Sequence, residues 1–416
     1  MNIEQKICFI PFASDITTMP STQIAVDLQN ELHHFGMEHI SENELLGNYP
    51  VVYFVLTGGT ENKILNLWKQ RKEKFGNEPV LLLAHSGNNS LPAALEILAR
   101  LQQEGAKGKI IFLDETLNKE CWHQIEQVVR HFKVFYKLKK TKIGLVGGPS
   151  DWLVASMPQF DTIAKTFGVQ IEQISIDELK NKITEVKEEE IEEIHHSFVS
   201  RAAEVKEPSK KEIKNAVKVY TALKQMIKQY QLDAVSVRCF DLVTGLKTTG
   251  CFALAKLNDE SVIAGCEGDI VSALGMVWVN YLTDQVVWMA NPTLVDEQNN
   301  LIWLAHCTIP VSMVNSYKLR SHYESGVGVG IEGELSKGKV TVFRLGDKEL
   351  NKMWSSNAEI IENGSDENLC RTQVCIKLHG SSKASDILNE PLGNHLLLLR
   401  GSYSREIHSW WEFFIE

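Results

Sequence analysis

The chain has 416 residues, 44% hydrophobic and 23% charged, with a net charge of −10. That length exceeds one ordinary hydrophobic core, so two or three domains are expected; the acidic balance argues against nucleic acid, whose phosphates call for a basic stripe. No apolar run approaches the ~20 residues of a membrane span, eight cysteines without a CxxC pair are too sparse for a disulfide scaffold, and the opening segment lacks a long signal-peptide core, so a reduced, cytoplasmic protein is expected.

In chain order, KICFIPFA reads as a strand and 21–35 as a helix. VVYFVLTGGT is a strand ending in Gly58-Gly59, with Thr60 as a helix cap. PVLLLAHSGNNS is a third strand with a polar end; a helix at 92–104, a strand at 109–114 and a helix near 118–132 follow. This alternation predicts a doubly wound parallel sheet over 1–137. The rhythm restarts at KKTKIGLVGGPSDWLVAS, where a strand ends in Gly147-Gly148 and a helix capped by Ser150 or Asp151 is expected. The paired glycines either serve tight turns alone or also expose helix N–H groups to an anion or hydroxyl.

Residues 176–231 read as charged helices, with adjacent His195 and His196 on a solvated acidic stretch and Pro208 opening the helix 209–230. DAVSVRCFDL and VIAGCEGD are buried strands, the second running into a helix at 270–282, which closes a second α/β lobe over 138–285. From 286 to 416 the pattern becomes short strands with turn residues between them, among them QVVWMANPT, NLIWLAHCTI, VGVGIEGEL, KVTVFRLG and HLLLLRGSY. The fold class expected is thus α/β: two doubly wound parallel-sheet lobes followed by a β-rich, barrel-like C-terminal domain closed by the aromatic helix REIHSWWEFFIE.

GVGVGIEG holds a formal GxGxxG at Gly328, Gly330 and Gly333, but a strand follows it, so it reads as close-packed β backbone and not as a dinucleotide site. Two carboxylates stand at a strand-to-helix junction. Asp269 opens the helix and reads as its N-cap. Glu267 ends an apolar strand, where a carboxylate is costly unless paired or metal-bound, and points toward the usual ligand crevice of an α/β sheet. His306 and His395 each sit in or at the edge of an apolar strand. Singly they read as core histidines; together with Glu267 they form an oxygen and nitrogen donor set suited to a divalent metal.

These segments, namely RCFDL (238–242), CEGD (266–269), HC (306–307), HYESGVGVGIEG (322–333), GNH (393–395) and GGPSDWLVAS (147–156), resemble the L-fucose/L-arabinose isomerase superfamily, and within it the fucose isomerase-like proteins. The resemblance implies aldose–ketose isomerisation with a divalent metal, typically Mn²⁺, a small sugar substrate, no membrane or nucleic-acid partner, and a homo-oligomer, a trimer or hexamer. It makes Glu267 metal ligand and catalytic carboxylate, His395 the C-terminal metal histidine and His306 a further ligand. The second carboxylate falls at Asn291, 24 positions on (291 − 267 = 24). An amide oxygen can coordinate but is no base at neutral pH, so the chemistry falls on Glu267 alone, or on Glu267 with Asp269 or Asp296 drawn in. Arg238, Trp152, His85, His322 and Asp269 complete the expected site as substrate contacts; for Arg238 an ion pair with Asp241 or Asp269 is the competing reading. Two alternatives follow from Asn291: a sugar-binding homologue without turnover, or a metal-assisted lyase or epimerase needing one base.

Overall fold

The structure is a computed structural model and describes residues 7–76, 78–113 and 119–415. Lys6 of the first expected strand, Asp114 of the fourth and Asn118 of the helix near 118–132 lie outside the described residues. The chain falls into two compact units, 1–136 with 409–416, and 137–408.

The first unit carries a parallel five-stranded sheet. Its strands are β1 (Ile7–Phe12), β2 (Met37–His39), β3 (Val51–Val55), β4 (Val80–His85) and β5 (Gly108–Leu113), in the order β2-β1-β3-β4-β5. β3 and β4 are buried at every residue, the continuous apolar run expected of strands covered on both faces. The helix expected over 21–35 is shorter, Val26–His34, preceded by a single 3₁₀ turn after Pro20. Thr60 does precede the helix Glu61–Phe75, but its hydroxyl donates to Thr57 O and does not cap the helix.

His131, on the helix Lys119–Leu138, is 1% exposed, and its Nε2 meets no hydrogen-bond partner. Burial, helped by the charges of Arg130 and Lys109, pushes the imidazole down to about 3. An unfolded chain takes up that proton near pH ~6.5. The neutral ring therefore supports folding fully above that pH, and its contribution falls away as pH drops toward about 3, by up to ~1.4 kcal/mol per pH unit. His131→Leu is expected to flatten the acid limb of stability against pH, measured by urea unfolding between neutrality and mild acid. An acid limb as steep as wild type would clear His131.

The second unit holds the second sheet and the barrel. Its strands are β6 (Lys142–Val146), β7 (Gln170–Ile174), the two-residue β8 (Glu204–Val205), β9 (Ala234–Val237) and β10 (Ile263–Gly265), then β11 (Val287–Asp296), β12 (Leu301–His306), β13 (Ser316–Arg320), β14 (Gly330–Glu334), β15 (Gly338–Gly346), β16 (Lys352–Asn363), β17 (Thr372–Leu378) and β18 (Leu396–Arg400). The parallel sheet runs β10-β9-β6-β7, and six antiparallel strands close as β11-β12-β17-β16-β15-β18. VGVGIEGEL stands outside the barrel, in a small sheet β14-β13-β8. Gly328 there is left-handed (φ 66), and a Cβ would lie 2.6 Å from the Thr249 methyl. Close packing is what this glycine motif serves.

The helix Ile270–Thr283 joins sheet to barrel. It is apolar around its whole circumference and almost wholly buried, as such a pattern requires. At Gly275 a Cβ would lie 2.7 Å from Leu397 of β18, so glycine lets the helix lie close on the barrel wall. The expected helix after Gly147-Gly148 is absent: 150–159 are irregular, and the next helix is Phe160–Phe167. His195, expected at the surface, is buried, while His196 is exposed.

Candidate active site and metal centre

Strand order brings the donors together. β18, β11 and β12 are consecutive barrel neighbours. His306 ends β12, His395 immediately precedes β18, and Asn291 on β11 pairs with Ala305, beside His306. Ala290, the residue before Asn291, pairs with Leu396, the residue after His395. One end of three adjacent strands therefore carries two imidazoles and an amide.

The carboxylate comes from the parallel sheet. Glu267 follows β10 in the left-handed conformation (φ 61), uncommon for a side chain other than Asn or Asp and costing on the order of 1–3 kcal/mol. Gly268 is also left-handed (φ 69), and a Cβ there would stand 2.2 Å from the Gly148 carbonyl oxygen. Ser150 N donates to Glu267 O at 2.9 Å. The turns of CEGD and GGPS thus interlock, and any residue larger than glycine at 268 would separate them.

Glu267, His306 and His395 each offer one donor atom, and these atoms lie within 4.8 Å of one another, all three residues buried. In each the second polar atom is held. Trp152 Nε1 donates to Glu267 Oε2 at 2.6 Å. Thr308 Oγ1 bonds His306 Nδ1 at 2.8 Å. Asp269 Oδ2 faces His395 Nδ1 at 2.9 Å. His395 Nε2 is buried with no hydrogen-bond partner, 3.5 Å from Glu267 Oε1. A buried ring nitrogen left without a bond is costly. A carboxylate on the opposite nitrogen is the arrangement that fixes metal-binding histidines. Two nitrogens and one oxygen with held far sides fit a divalent cation.

The surrounding charge is balanced. Asp269 is fully buried and accepts from Ser272 N (2.8 Å), Ser272 Oγ (2.7 Å) and Arg344 Nη1 (3.2 Å). Burial raises its carboxyl, but Arg344 and His395 outweigh that and hold it well below the usual range. Burial alone would lower His395; the carboxylates of Asp269 and Glu267 reverse this and lift it to about 9, so a cation taking Nε2 would displace a proton. His306 is pushed down to about 4 by burial and by the charge of His395, so it stays neutral, as a ligand must. Glu267 is lowered despite burial, chiefly by His395, with His306 and Trp152 assisting.

A cavity of about 370 Å³ opens on this cluster, with Trp152, Asn291, Thr293, His322, Glu324 and Asn394 in its wall. Of the expected substrate contacts, His322 and Trp152 line it, although Trp152 spends its N–H on Glu267. Asp269 is 0% exposed and cannot touch a ligand; it caps the helix and orients His395. Arg238 is occupied by Asp151, Asp241 and Pro149 O and does not line the cavity, so the ion-pair reading with Asp241 holds, while Asp269 pairs with Arg344. His85 belongs to the first unit, where its Nε2 lies 2.9 Å from Leu56 O and its Nδ1 accepts from Gly87 N. Asp296 is tied to Asn299 and is absent from the wall.

Glu324 and Asn394 in the wall, and Arg344 beneath it, escaped the reading of the sequence. The first two stand in segments already noted, HYESG and GNH. Arg344 carries its own signal, a cation inside the apolar run of the strand KVTVFRLG that must find a buried anion.

Residues 161–284 match the family model for the L-arabinose isomerase central domain. The chain is 28% identical over 239 residues to a protein named sulfoquinovose isomerase from Clostridium sp. (strain MSTE9), covering 54% of this chain and 52% of that one. It is 25% identical over 199 residues to a sulfoquinovose isomerase from Alkalicoccus urumqiensis, covering 45% and 44%. The chain spans about half the length of these curated relatives.

Proposed function

Since the chain belongs to the L-arabinose/L-fucose isomerase-like superfamily, we propose that it is a metal-dependent aldose–ketose isomerase working through an enediol of the sugar. The observation that carries the reading is the buried, unpartnered Nε2 of His395 facing Glu267 and His306. Glu267, His306 and His395 would hold the metal, for which Mn²⁺ is the natural first choice, and Asn291 lies beside them with a neutral oxygen to offer. When bound, the metal would supply Lewis-acid stabilisation of negative charge on the oxygens of carbons 1 and 2, the two carbons that exchange oxidation level.

The rest falls to the protein. Glu267, kept ionised, takes the proton from carbon 2 and returns it to carbon 1. Trp152 fixes the rotamer of that carboxylate, and Asp269 fixes the ring of His395. Asn291 cannot carry a proton at neutral pH, so the second carboxylate of the cavity wall, Glu324, moves the hydroxyl proton between the sugar oxygens. Asn291, Thr293, His322 and Asn394 supply groups that bond sugar hydroxyls. None of the described residues lining the cavity is a lysine or arginine. A sulfonated sugar such as the one in the relatives' name would therefore need a cation from outside this wall.

The reading is tested by incubating the protein with Mn²⁺ in D₂O and a panel of neutral aldoses together with sulfoquinovose. Deuterium at carbon 1 or carbon 2 of one sugar is expected; none across the panel would remove the isomerase. Asn291→Asp is expected to tighten Mn²⁺ by restoring a negative ligand; an unchanged dissociation constant in a titration would place residue 291 outside the coordination shell.

A further inference from the structure

Five of the eight cysteines, Cys239, Cys251, Cys266, Cys307 and Cys370, line the one cavity that holds the metal cluster. The metal and the isomerisation use none of them. Two are already in contact: Cys239 Sγ and Cys266 Sγ stand 3.0 Å apart. They sit past the carboxyl ends of neighbouring parallel strands, β9 and β10, whose register pairs Ser236 with Gly265. Both are nearly buried, at 6% and 4% exposure, and reach solvent through the cavity wall.

Each thiol is also chained to the machinery. Cys266 is the residue before Glu267, and its N–H donates to Met289 Sδ at 3.1 Å. Cys239 follows Arg238, whose guanidinium clamps Asp151 and Pro149 O in the loop that carries Trp152 to Glu267. The two cysteines are thus the chain neighbours of Glu267 on one side and of the arginine that braces the Trp152 loop on the other.

We propose that Cys239 and Cys266 form a two-electron oxidation site whose disulfide withdraws Glu267 from the metal. A peroxide small enough to enter the cavity oxidises one thiol to the sulfenic acid, its O–O bond breaking with release of water. The second sulfur then attacks the first, the S–S bond forms, and a second water leaves; two thiols and one peroxide give one disulfide and two waters. Sulfurs now 3.0 Å apart must close to about 2.05 Å. The left-handed backbone at Glu267 and Gly268, wedged against Gly148, cannot absorb that movement without shifting the carboxylate. A dithiol reverses the change through the same opening.

The effect on the metal rests on the reading of the cluster given above; the formation of the bond does not. The experiment treats full-length reduced protein with about one equivalent of hydrogen peroxide, then blocks remaining thiols and maps peptides by mass spectrometry, with Mn²⁺ titrated in parallel. A cross-link between the peptides bearing 239 and 266, two hydrogens lighter and reversed by dithiothreitol, is expected, together with a loss of Mn²⁺ affinity of at least tenfold. Cys239→Ser should remove the cross-link, with circular dichroism confirming that the variant folds. No 239–266 link in the wild type, or a link confined to Cys307 and Cys370, overturns the site. A 239–266 link in a protein that binds Mn²⁺ as tightly as before overturns the coupling. Reduced protein that binds no Mn²⁺ would count against the metal centre, and the peptide map would still decide the thiol pair.

Discussion

Glu267→Gln is expected to lower turnover by about 10²–10⁴-fold, the usual contribution of a positioned general base, and to weaken Mn²⁺ binding at the same time. Glutamine matches glutamate in shape and keeps an acceptor for Trp152 Nε1, so the packing around residue 267 should survive. What it lacks is the negative charge that attracts a cation and the capacity to hold the carbon 2 proton. The double loss distinguishes this role from a merely structural one. A variant with wild-type deuterium exchange would show that another group is the base.

Asp269→Asn should damage both the fold and the metal site, through one buried oxygen. Asp269 Oδ2 contacts Arg344, Ser272 and His395 at once, with no exposure to solvent. Neutralising it leaves Arg344 without its anion in a buried setting, where breaking a pair costs roughly 3–5 kcal/mol. It also releases His395, whose ring would then be free to protonate on either nitrogen; losing such an orienting carboxylate costs about 10–100-fold in metal affinity. Differential scanning calorimetry should therefore show a large drop in Tm, and titration of the surviving folded protein at low temperature a weaker Mn²⁺ site. An unchanged Tm would mean that Asp269 does not balance Arg344.

The parts of this site that local sequence displays are those tied to regular elements. Apolar runs ending in Gly pairs or carboxylates mark the strand ends, and alternation after residue 286 marks the barrel. Hence Glu267, His306 and His395 could be picked out one at a time, each as a costly polar group on an apolar strand. Their convergence depends on β18 closing against β11, a pairing across more than a hundred residues that no local pattern encodes. The same limit explains the errors. GGPSDWLVAS looks like a helix start because Gly-Gly and Ser or Asp so often precede one, yet its backbone is held open by the Gly268–Gly148 contact and the bond of Ser150 to Glu267, both tertiary. Asp269 was legible as an N-cap, but its second role requires His395, 126 residues away. Arg238 illustrates the reverse case: Asp241, Asp151 and Pro149 O engage its guanidinium, which turns an apparent substrate contact into a brace for the Trp152 loop.

The most direct test of the metal centre is anomalous diffraction from crystals soaked in Mn²⁺. We expect a single strong peak between Glu267 Oε1, His306 Nε2 and His395 Nε2, diminished in Glu267→Gln crystals treated alike. Density for Mn²⁺ elsewhere only, with His395 Nε2 still unpartnered, would contradict it.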